Sequence, residues 1–268
     1  MPALALRLVR ALPASPAILL TRTTVLAYLA CRPDYRSEIR RNLRLVLGHD
    51  RRWFWVRNAW RVGRNLALMA RIGTGWADTV VDKTRLEGEN WAAAAVERDV
   101  HMVMVSFHFG AWEFLPQVFA RLGFDTNLVT GTQRDAGLDR LLCALRGSSG
   151  VRVLQDVRPV LAAASGPGIT GFMLDNTSRG RRQRVRGDRF DMSIPGLPFL
   201  VAERRQARVF PLFAFFDRGR LRVEVGRPGG PGQALAAFCR LVRARPEEWV
   251  FWGKSGALVA AACDPEAA

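Results

Sequence analysis

From about residue 85 onward, short apolar runs rich in β-branched and aromatic residues alternate with helical stretches, and this alternation limits the possible folds more than any other feature of the chain. Strand-like segments fall at 101–107, 125–130, 151–154, 169–174, 208–215 and 220–225. Helical segments fall at 89–97, 111–121, 135–146, 157–164, 198–207 and 233–244. Such a pattern implies an α/β fold with a largely parallel sheet flanked by helices. In that architecture ligand chemistry gathers beyond the carboxyl ends of the strands.

One strand end carries reactive side chains. The run Met102 to Phe107 suits a buried strand, and Gly110 then lets the backbone turn sharply into a helix beginning near Ala111. His108 and Glu113 lie five residues apart across this turn. On one continuous helix such a pair diverges by about 140°, so the two side chains meet only if His108 sits outside the helix. A histidine placed there can take a proton from an alcohol, while Glu113 fixes its tautomer and stabilises the imidazolium. This is the base-plus-orienter part of a catalytic triad, with a substrate hydroxyl in place of an enzyme serine. The spacing by itself is equally that of a hydrogen-bonded structural histidine.

The 268 residues suffice for one large α/β domain, and the 49% hydrophobic content is ordinary. The charge is not. The chain carries +16, and only Lys83 and Lys254 among its 40 basic residues are lysines, a bias that a GC-rich genome also produces. Residues 1–75 hold 14 arginines against Asp34, Glu38 and Asp50. The expected division is therefore a helical, membrane-interface region at 1–75 and an α/β domain at 76–268. A basic, apolar segment suits an anionic membrane surface, where each arginine adds about 1 kcal/mol. Nucleic acid is not expected as a partner, since no nucleic-acid-binding motif occurs.

Within 1–30, Arg7, Arg10 and Arg22 together with Pro13 and Pro16 interrupt every apolar run. No window reaches the roughly 20 apolar residues of a spanning helix, and arginines inside the run argue against a cleaved signal peptide. The segment reads as an interfacial helix or helix pair, or as an ordinary helix docked on the domain. Residues 34–47 and 51–72 read as amphipathic helices. Their Trp53, Trp55 and Trp60 fit a membrane-interface face or an inward-packed one.

Other motifs carry less. Gly166-Pro167-Gly168-Ile169-Thr170-Gly171 matches a dinucleotide fingerprint in letters but follows a helix and precedes a strand, the reverse of what that site needs. Cys31, Cys143, Cys239 and Cys263 are scattered and read as reduced thiols, with no metal-ligand spacing. Six arginines between Arg179 and Arg189 read either as a solvated loop or as a binding site for a lipid phosphate, an acidic carrier protein or the phosphates of coenzyme A.

Taken together, the chain resembles the bacterial lipid A biosynthesis acyltransferases, the late enzymes that add lauroyl or myristoyl groups, and the related phosphatidylinositol mannoside acyltransferases. The likeness runs from about Tyr35 to Trp252. It is carried by Arg40-Arg41-Asn42-Leu43, the Ser106-to-Glu113 block, Gln133-Arg134-Asp135 with Leu138-Asp139, and Arg146 with Gly150. Leu174-Asp175-Asn176, Ile194-Pro195-Gly196-Leu197-Pro198 leading into Ala202, Pro211, and Pro246-x2-Trp249-x2-Trp252 continue it. The resemblance implies a glycerol-phosphate-acyltransferase-like fold, with His108 as general base, Glu113 as its partner, and Arg146 and Asp175 as active-site residues. Arg134, Arg179, Arg181 and Arg182 are the expected substrate-binding arginines. Asp175-Asn176 replaces the usual Asp-Gln and Asp135-Ala136 the usual Asp-Asn. The tryptophan element ends in Gly253-Lys254-Ser255 rather than a histidine and arginine run.

The expected activity is transfer of a fatty acyl group from acyl carrier protein or coenzyme A to a hydroxyl of a lipid or glycolipid, with no metal or bound cofactor. The expected location is the cytoplasmic face of the bacterial inner membrane, peripheral or monotopic. A non-catalytic membrane- or carrier-binding homologue and a thioesterase-type hydrolase are the alternatives.

Overall fold

The computed structural model describes residues 2–88, 100–176 and 180–260. Five helices come first: α1 (Pro2–Ala11), α2 (Ala14–Ala30), α3 (Pro33–Leu47), α4 (Phe54–Met69) and α5 (Gly75–Asp82). Then follow β1 (Arg85–Glu87), β2 (His101–Ser106), α6 (Phe114–Arg121), β3 (Thr126–Val129), α7 (Ala136–Gly147), β4 (Arg152–Leu154), α8 (Val157–Ala163) and β5 (Gly168–Met173). The chain continues through β6 (Arg182–Arg186), β7 (Phe190–Pro195), α9 (Leu197–Arg205), β8 (Arg208–Asp217), β9 (Arg220–Val225), α10 (Pro231–Ala244) and β10 (Val259–Ala260). The helix expected at 89–97 lies outside the described residues.

Among the described residues, seven strands form one sheet in the order β1-β9-β8-β2-β5-β3-β4. All pairings are parallel except β8 with β9, which a two-residue turn joins as a hairpin. The α/β fold is thus the one its alternating pattern implies. β2 lies near the middle and is buried along its whole length, as a strand covered on both faces must be. Its side chains alternate between two cores: Val103 and Val105 enter one, Met102 and Met104 the other. Each such side chain contributes about 1.5–3 kcal/mol.

The arginine-rich stretch from residue 180 is not a solvated loop. Arg182–Arg186 forms β6, antiparallel to β7, and β10 extends the pair to a three-stranded sheet. On β6 only Val185 is buried, whereas β7 buries Phe190, Met192 and Ile194. One apolar strand therefore carries its charged neighbour.

α3 and α4 belong to the same core as the sheet. Ile39, Leu43 and Val46 form a stripe at helical spacing, and with Phe54 and Ala59 they join the cluster that holds Val103, Val105 and Phe107. Three buried asparagines interrupt the apolar faces and bond to the carboxyl-terminal segment. Asn42 reaches the Trp252 carbonyl at 2.7 Å, Asn58 the Glu247 and Trp249 carbonyls at 3.0 and 2.9 Å, and Asn65 the Glu248 carboxylate at 2.6 Å. Buried amides need such partners, so these contacts fix how the helices dock.

α2 crosses α4 at Gly63, where an added Cβ would lie 2.6 Å from the Arg22 Cα. Several amino-terminal arginines satisfy helix ends: Arg10 donates to the Ala70 and Ile72 carbonyls at 2.6 and 2.8 Å, and Arg36 to Leu29 and Ala30. Part of the basic charge at 1–75 therefore serves packing.

Candidate active site

β2 leaves the sheet at Ser106, whose hydroxyl donates to the Leu212 carbonyl at 2.6 Å. The backbone then bends. Gly110 has φ +63°, and a Cβ there would stand 2.1 Å from the Ala214 carbonyl oxygen, so no other residue fits without displacing β8. The Gly110 amide donates to the Glu248 carbonyl and the Ala111 amide to Ala214. His108 occupies the turn, as its sequence context implies. The helix starts later than expected, at Phe114, with Glu113 as its cap residue.

The partner of His108 is not Glu113. β2 and β5 run parallel with Ser106 opposite Met173, so two residues further on His108 lies beside Asp175. The His108 ring nitrogen Nδ1 is 2.7 Å from Asp175 Oδ1, and the His108 amide donates to Oδ2 at 2.9 Å. Trp249 Nε1 donates to the same Oδ2 at 2.9 Å. The Asp175 side chain is fully buried and that of His108 is 18% exposed. Burial pushes the Asp175 carboxyl upward, but His108 and the ring, indole and amide donors outweigh it and hold the group below its ordinary range. An anionic Asp175 requires the proton on Nδ1, which leaves Nε2 as the acceptor. Trp112 and Phe251 pack edgewise on the imidazole at 5.1 and 4.8 Å and fix its plane.

Glu113 instead receives Arg146, from the last turn of α7, in a two-point contact of 2.9 and 2.5 Å. The two side chains are only 17% and 14% exposed. Burial pushes the Glu113 carboxyl up, and the charge and hydrogen bonds of Arg146, with a smaller pull from His108, bring it below its usual value. Burial lowers and Glu113 raises the Arg146 guanidinium, which ends raised.

A cavity of about 1150 Å³ opens at this point. His108, Glu113 and Arg146 line one part, Leu128, Val160, Phe172, Leu197 and Phe199 give an apolar wall, and Arg181, Arg182 and Gln183 stand at its side. Asp175 lies directly behind His108, after β5. Arg146 reaches the cavity from a helix end rather than from a strand end. Arg134 is exposed in the turn before α7 and does not line the cavity, although Gln133 does. That turn shapes the helix bearing Arg146: Asp135 caps it through the Leu138 amide at 2.8 Å, and Asp139 accepts the Gln133 amide at 2.8 Å. Arg179 lies outside the described residues.

Trp112, Phe251 and Lys254 also surround His108 and Asp175, although their sequence positions implied no role at the site. Lys254 Nζ donates to the Asp175 carbonyl at 3.0 Å. Its available signals were rarity, as one of two lysines, and its place directly after the tryptophan element.

Comparison with protein families matches residues 2–225 to the family described as bacterial lipid A biosynthesis acyltransferase. Comparison with curated proteins found no match.

Proposed function

The chain belongs to the bacterial lipid A biosynthesis acyltransferase family, a family that transfers acyl groups to lipid acceptors, and from this premise we propose that His108 is its general base. The observation that carries the reading is the 2.7 Å contact of Asp175 with His108 Nδ1, at the wall of a cavity with an apolar side. The acceptor hydroxyl gives its proton to Nε2 as its oxygen attacks the thioester carbonyl. Asp175 stabilises the imidazolium formed, which then protonates the departing thiolate. Glu113 holds Arg146 through Nε and Nη2, and the same guanidinium lines the cavity, where it donates to an oxygen of the thioester or the acceptor. A donor aimed at developing negative charge is worth about 2.7–4 kcal/mol in a water-poor site.

The donor is a thioester of acyl carrier protein or coenzyme A. The apolar wall suits its hydrocarbon chain, and Arg181 and Arg182 suit phosphate groups on donor or acceptor. Incubating the protein with lauroyl coenzyme A or lauroyl acyl carrier protein and total membrane lipid tests this. A lipid gaining one lauroyl group by mass spectrometry, absent with His108→Ala, is the expected result; thiol release with no acylated lipid would mark a hydrolase instead.

We also infer a peripheral seat on the cytoplasmic leaflet. Among the described residues no single helix is long and apolar enough to cross a membrane. Ala14–Ala30 with Pro33–Leu47 pass together but are bent by 93°, and α3 spends its apolar stripe on the core. Leu4, Leu8, Leu19, Leu20, Trp53 and Trp60 remain exposed among the arginines of residues 1–75. Salt screens the arginine attraction but not the apolar burial. Binding to anionic liposomes should therefore weaken in high salt without full release, and deleting residues 1–30 should weaken it further; equal binding to neutral and anionic vesicles would remove the electrostatic contribution.

A further inference from the structure

The segment Pro246–Lys254 lies beyond the residues matched to the family and meets the His108–Asp175 pair at several separate atoms. Trp249 Nε1 donates to Asp175 Oδ2, the Val250 amide donates to the His108 carbonyl at 3.0 Å, and Lys254 Nζ holds the Asp175 carbonyl at 3.0 Å and Asn176 Oδ1 at 3.3 Å. The segment is itself held rigidly. Trp249 and Trp252 are fully buried, Trp249 packs edgewise on Phe238 at 5.2 Å and on Trp252 at 5.0 Å, and Asn42, Asn58 and Asn65 secure it from α3 and α4.

A carboxylate is free to rotate about its terminal bond unless donors of fixed position occupy it. Here two N–H groups, the His108 amide and the Trp249 indole, occupy Oδ2, and this leaves Oδ1 for the imidazole. We propose that Trp249 and Lys254 are positioning residues of the acyl transfer, fixing the side chain and the main chain of Asp175 so that Oδ1 holds His108 with its proton on Nδ1. The proposal rests on the reading of His108 as general base.

Two substitutions separate this role from plain packing. Trp249→Phe keeps an aromatic ring but deletes the N–H, and Lys254→Met keeps the chain length but deletes the ammonium. The protein contains three histidines, so ¹⁵N-histidine labelling of the full chain, with His108→Ala for assignment, reads the His108 tautomer without any substrate. The wild type should show a single Nδ1–H form, and Trp249→Phe a mixture of tautomers. With lauroyl thioester and membrane lipid, Trp249→Phe should lower kcat about tenfold and leave KM within about twofold, the loss expected for one hydrogen bond to a charged group. In an Asp175→Asn background it should cost nothing further, because it acts through Asp175. A wild-type tautomer and kcat in Trp249→Phe, or an equal loss in both backgrounds, would overturn the proposal. If Trp249→Phe does not fold, Lys254→Met decides by the same readouts, a wild-type result again overturning it. Full transfer by His108→Ala sinks the reading of the base itself, whereas inactive His108→Ala beside unaltered Trp249→Phe and Lys254→Met sinks only the positioning role.

Discussion

Replacing His108 by alanine should lower kcat/KM for acyl transfer by about 10²–10⁴-fold, the usual cost of removing a general base, while the fold survives. The ring is partly exposed at a cavity wall, and its contacts to Trp112 and Phe251 are edge contacts, so its loss leaves no closed void. Asp175→Asn should cost a similar factor, because an amide can donate to Nδ1 and so stabilise the wrong tautomer. The double variant should be little worse than either single one, since the two side chains act as a unit. Steady-state rates of the three variants check this, and strictly multiplicative losses would show that the pair does not share one step. Asp175 also links stability to pH. Its folded value lies below the ordinary carboxylate value of about 3.9, so its contribution is present above that pH and fades as the medium is acidified through the folded value. Asp175→Asn should flatten that acid limb of the stability curve.

Arg146→Met should destabilise the protein by about 3–5 kcal/mol at neutral pH, because it leaves the Glu113 carboxylate buried without its counter-ion. Adding Glu113→Gln should recover a large part of the loss, since the buried charge is then gone, and denaturant melts of the two singles and the double measure the coupling. The pH dependence has a definite sign. In the wild type Glu113 is held below its ordinary value by Arg146, so its stabilisation is full above about pH 4.3 and falls with acid. In Arg146→Met burial is opposed only by the smaller pulls of His108 and Trp112 and raises the carboxyl, so protonation relieves the penalty and the gap to wild type narrows as pH falls. A gap that is constant between about pH 7 and pH 4 would show that the loss comes from packing rather than from charge. Transfer activity should fall as well, because the same guanidinium lines the cavity.

The sequence by itself determined the local half of this protein. An apolar run ending in His108, a glycine with room for nothing else, and strands alternating with helices were all legible, because buried strands and sharp turns are written in neighbouring residues. The pairing of His108 was not. Glu113 is five residues away and was the natural partner by spacing, but Asp175, 67 residues away, takes the place because the parallel register of β2 and β5 sets Ser106 against Met173. Register between parallel strands depends on the crossover helices and both cores, and no short window of sequence contains it. Glu113, displaced from that role, is claimed by Arg146 from the end of α7. The arginine run hid β6 for a related reason: Arg182, Arg184 and Arg186 share one face, the other offers only Gln183 and Val185, and the apolar residues of β7, supplied by the rest of the fold, make it a strand. Trp249 and Lys254 reach Asp175 from the far end of the chain, held there by asparagines of α3 and α4, so tertiary packing alone decided what surrounds the reactive pair.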